Sequence, residues 1–347
     1  MRRRLEGRRR AGVMPCAGAI RRAGWFAVTL GLVLAFTLPI AHRAGAQGQA
    51  YPTRTVHMVV PFTAGSGTDI IARTIGQVLQ KNLGQPVIVE NKPGAGGTLA
   101  ATQVVKGEAD GYTLLIHSAG HALNPAIYPN LSYDTVRDFS GVTPLAALPN
   151  VMVVPPQRGW KNVADVIAAA KARPGALNYA SAGSGSATHM NAEKFRLLTG
   201  VDAVHVPFKG TPEALTEIAA GRLDWFFAPL ASALPLIRDG KLTALAVSTA
   251  QRSFLLPDVP TTVEAGVPGS EYIFWVGMLV PAKTPRAIVA RLNEETLKAL
   301  NSAEVRERFA ALGAEAMTMS PEQFDAFIKA EVESAARIAQ AANLKAP

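Results

Sequence analysis

The chain has 347 residues, 35 basic against 26 acidic side chains, a formal net charge of +9, and a single cysteine. Nine of the arginines and one glutamate lie in the first 46 residues, so the remainder carries 26 basic and 25 acidic groups, about +1. The +9 is thus a property of the first segment and no evidence for nucleic-acid binding, and no nucleic-acid partner is expected. Cys16 also lies in the first segment, which leaves the rest with no disulfide, no thiol nucleophile and no cysteine-ligated metal.

The first segment has the order of a targeting signal. Arg2, Arg3, Arg4, Arg8, Arg9, Arg10, Arg21 and Arg22 precede an uncharged apolar run, Trp25 to Ala41, and Ala44-Gly45-Ala46 follows as a small-residue cleavage site. The run is short for a membrane span of about 20 residues. Residues 1–46 are therefore expected to be a signal peptide, removed on export by general secretion. The remaining residues suffice for two α/β lobes with cores of useful size.

From Tyr51 onward strand-like and helix-like segments alternate. Val56 to Pro61 is an apolar strand, followed by the glycine-rich loop Phe62-Thr63-Ala64-Gly65-Ser66-Gly67. Thr68 or Asp69 is expected to cap the next helix, which repeats Ile71, Ile75, Val78 and Leu79 at helical spacing and stops at Gly84. Strand, tight loop and helix N-terminus together make an anion site out of backbone N–H groups. Val87 to Glu90, helix Thr98 to Val105 and strand Tyr112 to Ile116 continue the pattern, with His117-Ser118-Ala119-Gly120-His121 read as a loop.

Near Leu148-Pro149-Asn150 the pattern restarts. Strand Val151 to Val154, helix Val163 to Ala172 and strand Leu177 to Ala180 lead into Ser181-Ala182-Gly183-Ser184-Gly185-Ser186-Ala187-Thr188-His189 and a helix ending at Gly200. This is the same device a second time, again without a cation in the loop. Strand Val204 to Pro207, a helix from Pro212 to Ala220, and strands Leu223 to Phe227 and Thr243 to Val247 complete this half. The chain is expected to cross back near Tyr272, with strand Trp275 to Val280 and helices Pro285 to Leu300, Ala303 to Leu312 and Pro321 to Ala341. The fold class that follows is α/β, with two lobes, each a central mostly parallel sheet flanked by helices, and a hinge of two crossings. Lobe 1 comprises 51–152 and 275–347; lobe 2, 153–274, is inserted.

Familiar catalytic signatures do not fit. Gly65 to Asp69 lacks the last glycine of G-x-G-x-x-G and the lysine of a P-loop, and G-x-S-x-G is absent around Ser66, Ser118 and Ser186. A serine hydrolase stays open as a competing class. His117 and His121 have metal-ligand spacing without a third ligand, so no metal and no cofactor is expected.

Several blocks taken in order resemble the extracytoplasmic solute-binding receptors of the tripartite tricarboxylate transporter family, the Bug receptors. They are Tyr51-Pro52, Val60-Pro61-Phe62 with Gly65 to Asp69, Val89 to Gly97, Asp110 to Leu114, Asn178 to Gly183, His205 to Gly210 and Leu256 to Thr261. The resemblance implies a type II periplasmic binding protein that closes on a small carboxylate and delivers it to membrane permease subunits. It implies a periplasmic monomer without enzymatic activity. A receptor that docks on a sensor protein fits the same residues. Dicarboxylates, tricarboxylates, aromatic acids and nicotinate-like acids all remain open as ligands.

By family position, Thr63, Ala64, Gly65, Gly67, Thr68 and Asp69 contact one end of the ligand. Ser181, Ser186 and Thr188 contact another part, beside Gly183, with Ser118 and His121 in between. Phe62, Phe208 and Trp275 are candidates for the cleft walls. Asp69 reads equally as a helix cap or a ligand contact, and Lys209 as a cleft cation or a solvated loop residue. Two positions depart from the family pattern. Thr63 and Ser66 stand where glycine or proline is common, and Ala228-Pro229 stands where many members carry Asp-Asn.

Overall fold

The computed structural model describes residues 51–344. The expected signal peptide, 1–46, and the last three residues of lobe 1 lie outside them.

The first run of elements is β1 (Val56–Val60), α1 (Gly67–Leu83), β2 (Val87–Asn91), α2 (Thr98–Lys106), β3 (Thr113–Ser118), α3 (Gly120–Ile127) and β4 (Phe139–Leu148). In α1 the stripe of Ile71, Ile75 and Leu79 is fully buried, and Gly84 ends the helix at φ 67°, its N–H donating to Gln80 O. The second run is β5 (Asn150–Val154), α4 (Val163–Ala172), β6 (Leu177–Ser181), α5 (Ala187–Thr199), β7 (Ala203–Pro207), α6 (Thr211–Ala219), β8 (Trp225–Pro229), α7 (Leu230–Arg238) and β9 (Thr243–Val247). The chain then returns as β10 (Phe274–Pro281), α8 (Arg286–Asn301), α9 (Ala303–Leu312), β11 (Glu315–Ala316) and α10 (Pro321–Ala341).

Two sheets result, ordered β11-β4-β10-β3-β1-β2 and β7-β6-β8-β5-β9. They are mixed, where the sequence pattern suggested mostly parallel ones. β1 is parallel to β2 and β3, but β10 runs antiparallel to β3 and β4; β6 is parallel to β7 and β8, but β5 runs antiparallel to β8 and β9. Short β11 also runs antiparallel to β4; the other two reversed strands, β5 and β10, are those that follow the crossings. A strand that enters a sheet from the hinge runs opposite to strands whose carboxyl ends face the cleft.

Each crossing is short. Only Pro149 separates β4 of the first sheet from β5 of the second, so the second sheet starts at Asn150, ahead of the expected boundary at 153. The return strand is tied to the outgoing one. Ser248 N donates to Asn150 O at 2.8 Å, Tyr272 N to Ser248 O at 2.7 Å, and Ser248 Oγ to Tyr272 O at 3.0 Å.

Strand β8 shows how the second sheet is filled. Trp225 and Phe227 join Tyr179 and Phe195 on one face, while Phe226 and Ala228 meet Leu215, Ile218 and Leu230 on the other. α10 adds an apolar contact outside the hinge, where Ala335 and Ala339 meet Leu123 and Ile127 of α3 and Met190 of α5.

Four elements were not legible in the pattern, the two-residue β11 among them. α3 and α7 contain Pro125 and Pro235, which read as breakers. β4 contains Gly141 and Pro144, and its pairing with β10 absorbs them in two register shifts.

Candidate functional site

Three helices point their first turns at one place. Gly67 and Thr68 of α1, Ser186, Ala187 and Thr188 at the start of α5, and Thr211 of α6 surround a cavity of about 10 Å³, completed by Phe62, Ser66, Ser118, Ala182 and Phe274. That is about the room one water needs, and it marks a closed cleft. A larger cavity, about 260 Å³, lies beside the hinge between Trp275, Lys194 and Glu331, but no set of helix ends converges on it.

The two lobes bond directly around the cleft. Thr211 N–H donates to Ser66 Oγ at 3.1 Å, Thr63 Oγ1 to Glu213 Oε2 at 2.9 Å, Ser232 Oγ to Gly65 O at 3.0 Å, and Tyr128 OH to Ser184 O at 2.7 Å. Burial pushes the Tyr128 hydroxyl up to about 12, so it stays a donor at any physiological pH. Glycine permits the close approach: a Cβ on Gly67 would sit 2.8 Å from Pro229 Cβ.

The cap of α1 is Ser66, not Thr68 or Asp69 as the sequence suggested. Its hydroxyl makes no cap bond, because it accepts from Thr211 across the cleft. The first-turn amides of α1 therefore keep their donors. α5 differs, since its cap Ser186 accepts from His189 N at 3.3 Å.

Asp69 is the staple of the first loop. Its carboxylate accepts from Gly65 N at 2.9 Å, Asn91 Nδ2 at 2.8 Å and Arg73 Nε at 3.0 Å, and it is 2 % exposed. It does not face the cavity. The signal for this role was present in the sequence as Arg73 at i+4.

The hydroxyls can be accounted for one by one. Thr188 Oγ1 accepts from Ala182 N and lies 3.0 Å from Ser186 Oγ. Thr68 Oγ1 and Ser118 Oγ are buried and have no partner. Both residues line the cavity. Two donor hydroxyls beside free helix-end amides form a place for an anionic oxygen pair.

Of the residues singled out from sequence, Phe62, Gly67, Thr68, Ser118, Ser186 and Thr188 come together at the cavity. Thr63, Ala64 and Gly65 form the rim instead. His121 does not reach the cleft. α3 starts at Gly120 and turns the ring inward, where it packs on Tyr133, Phe139 and, at 5.0 Å, His117. His117 is thus in a strand and His121 in a helix, and the segment is not the loop expected. Burial lowers His117 to about 4 and holds His121 well below the ordinary range. Among the described residues no group of three metal ligands assembles.

Ser181 and Gly183 lie under the second loop. Ser181 Oγ is 2.6 Å from His205 Nε2 and accepts from Gly183 N at 3.0 Å. The His205 ring stacks on His189 at 4.0 Å, and His189 Nδ1 accepts from Gly185 N at 3.3 Å. Desolvation lowers His189 to about 4 and His205 to about 3, which leaves both rings neutral struts for the loop. Phe208 packs against the second lobe's core and Lys209 is exposed, so neither lines the cavity. Trp275 is also turned away. Strand alternation presents Phe274 to the cleft and sends Trp275 behind it, where Nε1 donates to Glu331 at 2.9 Å.

Sequence reading missed Ser66, Ala182, Ala187, Thr211 and Phe274. Ser66 sat in the right loop, but nothing local shows that its partner is Thr211 of the other lobe.

Two lobes that meet on a polar cleft at converging helix ends define a solute-binding protein of the periplasmic class. The relatives agree. The tripartite tricarboxylate transporter family receptor pattern matches residues 71–344. Protein BugT of Bordetella pertussis is 35% identical over 292 residues, 84% of this chain and 90% of its own. The structure of Rhodopseudomonas palustris Rpa4515 with adipate superposes with a TM-score of 0.82 at 36% identity, covering 85% of this chain and 100% of that one. MatC from the same organism with bound malate gives 0.78 at 36% identity, covering 83% and 99%. The chain belongs to the tripartite tricarboxylate transporter receptor family, of the Bug type, whose members bind solutes and are not enzymes.

Proposed function

We propose that the protein is a periplasmic receptor that captures a small organic carboxylate between its lobes and passes it to the permease subunits of a tripartite transporter. In this reading residues 1–46 direct export and are removed, and the mature chain acts as a monomer. One lobe is built from both ends of the chain, and the other, inserted near 150–273, closes on it about the hinge at Pro149 and Ile273.

The observation that carries the reading is the pair Thr68 Oγ1 and Ser118 Oγ, buried without partners where the first turns of α1, α5 and α6 meet. Their N–H groups and dipoles favour an anion. A ligand carboxylate that bonds donors of both lobes stabilises the closed state over the open one, which is how binding drives closure. The adipate and malate carried by the two Rhodopseudomonas relatives support a carboxylate here.

The test is a thermal-shift screen of the mature protein against organic acids, with the bound acid recovered and analysed. A true ligand at a hundredfold excess over Kd adds about 2.7 kcal/mol of stability and comes back unchanged. Turnover of the bound acid, or no shift with any carboxylate, would overturn the reading.

A further inference from the structure

The cavity beside the hinge draws on both lobes and on the crossing between them. Its volume is about 260 Å³, just under the range of sites for drug-sized ligands and so of a size for a metabolite. Met190 and Lys194 come from α5 of the second lobe, Trp275, Phe327 and Glu331 from β10 and α10 of the first, and Glu271 to Ile273 from the return crossing. Ile273 is 59 % exposed, so the cavity opens to solvent there. Trp275, Met190 and Phe327 give it an apolar wall.

Two charges of opposite sign line this space without pairing. The half-buried Lys194 ammonium donates to the Glu271 carbonyl at 2.5 Å and enters no ion pair among the described residues. Desolvation pulls it below its ordinary range, against the nearby Glu271 charge. Glu331 accepts from Trp275 Nε1 at 2.9 Å and enters no ion pair among the described residues either. Burial and the Glu331 charge keep the Tyr272 hydroxyl protonated, and it bonds no described residue. Each group keeps spare bonding capacity at a site where water is scarce. A carboxylate for Lys194, an ammonium for Glu331 and an apolar body over the wall satisfy all of them at once.

We propose that this cavity is a second ligand site, for an amino acid with an apolar side chain, and that its occupation favours the closed receptor. The lobes are bonded across the cleft, so the cavity has its closed shape. Opening about Pro149 and Ile273 moves Lys194 on α5 relative to Glu331 on α10. A molecule that bridges the two binds the closed form better, and by linkage it raises the affinity of the cleft for its own ligand. The coupling rests on the two-lobe receptor reading above; the cavity site itself does not.

The experiment is calorimetry on the mature protein with leucine, methionine, phenylalanine and tryptophan as probes, with the cleft empty and with it saturated by an acid from the organic-acid screen. At least one probe is expected to bind in both, about fivefold or more tightly when the cleft is filled. On the filled receptor, the acid that lacks the probe's amino group and the amine that lacks its carboxyl group are each expected to bind at least about tenfold more weakly. Lys194→Met, and Glu331→Gln, which keeps an acceptor for Trp275, should each weaken the probe at least about tenfold and leave the affinity of the cleft acid alone within about twofold. Melting curves confirm that both variants fold. No probe binding, a probe displaced by the cleft acid, a single-charge analogue binding as well as the probe, or a folded Glu331→Gln protein binding it as before overturns the proposal. If no acid binds the cleft while a probe still binds and depends on Lys194, the carboxylate reading fails and the cavity site stands. Small-angle scattering reads the coupling without a cleft ligand: the probe alone should make the protein more compact, and unchanged dimensions with the probe bound would overturn the coupling.

Discussion

Ser66 accepts the backbone N–H of Thr211 from the opposite lobe at 3.1 Å, although Ser66 is the N-cap of its own helix. A cap residue normally satisfies its own first turn. Here the hydroxyl is spent on closure, and the first-turn amides of α1 stay available to an anion. Closure and ligand binding therefore share one residue.

Replacing Ser66 with Ala tests that sharing. The closed state would bury Thr211 N–H, on a residue 1 % exposed, without an acceptor. Affinity should fall by about 1–2 kcal/mol, while no cap bond of α1 is lost. Calorimetry against the screened ligand, with a melting curve of the unliganded protein as control, reads both effects. Equal loss in both would mean that the bond serves folding and not closure.

Gly67→Val addresses shape. Gly67 has an ordinary helical backbone, so a side chain there brings no φ strain, but its Cβ would sit 2.8 Å from Pro229 of the other lobe. The variant should fold with a near-normal melting temperature and lose at least about tenfold in affinity, because the lobes cannot meet. Small-angle scattering with ligand should show it more extended than the parent. An undiminished affinity would place the ligand elsewhere.

The fold was largely legible because its signals are local. Apolar runs such as Val56 to Val60, stripes such as Ile71, Ile75 and Leu79, and stops such as Gly84 and Gly200 depend on a few residues each. The second glycine loop was legible for the same reason. What escaped depends on partners distant in sequence. Pro144 breaks a strand unless β10 supplies a matching register shift. His121 reads as a loop residue unless Tyr133 and Phe139 are known to await it. The choice of Phe274 over Trp275 for the cleft wall turns on one residue of register.

Stability should depend on pH through the buried histidines. Burial lowers His117 and His189 to about 4, and the Arg196 charge adds to the effect at His189. An unfolded chain takes up these protons near pH 6.5. Between the two values the unfolded state binds more protons, so stability falls as pH drops through that window and is level above about pH 7.5. Each of these two histidines should cost about 2 kcal/mol by pH 5. Urea titrations from pH 8 to 5 measure it, and a curve flat down to pH 5 would contradict the buried neutral rings.

Export makes a separate prediction. The arginine-rich start, the apolar run and Ala44-Gly45-Ala46 place cleavage after Ala46. Mass spectrometry of periplasmic protein should find Gln47 at the N-terminus. Full-length chain in the membrane fraction would instead show a retained anchor.

The last prediction sets two hydroxyls against each other. Thr68 Oγ1 is buried without a partner, whereas Ser186 Oγ caps α5 through His189 N and touches Thr188 Oγ1. Thr68→Val keeps the shape and removes only the unpaired hydroxyl. It should leave the unliganded protein as stable as before or slightly more so, and weaken carboxylate binding by about 1–3 kcal/mol. Ser186→Ala removes a cap, so it should lower stability by about 1 kcal/mol, with a smaller share of the loss appearing in affinity. Melting temperature and calorimetric Kd on the same preparations give a point for each variant, one moving along the affinity axis and the other along the stability axis. If Thr68→Val lowers stability and spares affinity, its hydroxyl has a partner within the protein, and the anion site built around Thr68 and Ser118 is wrong.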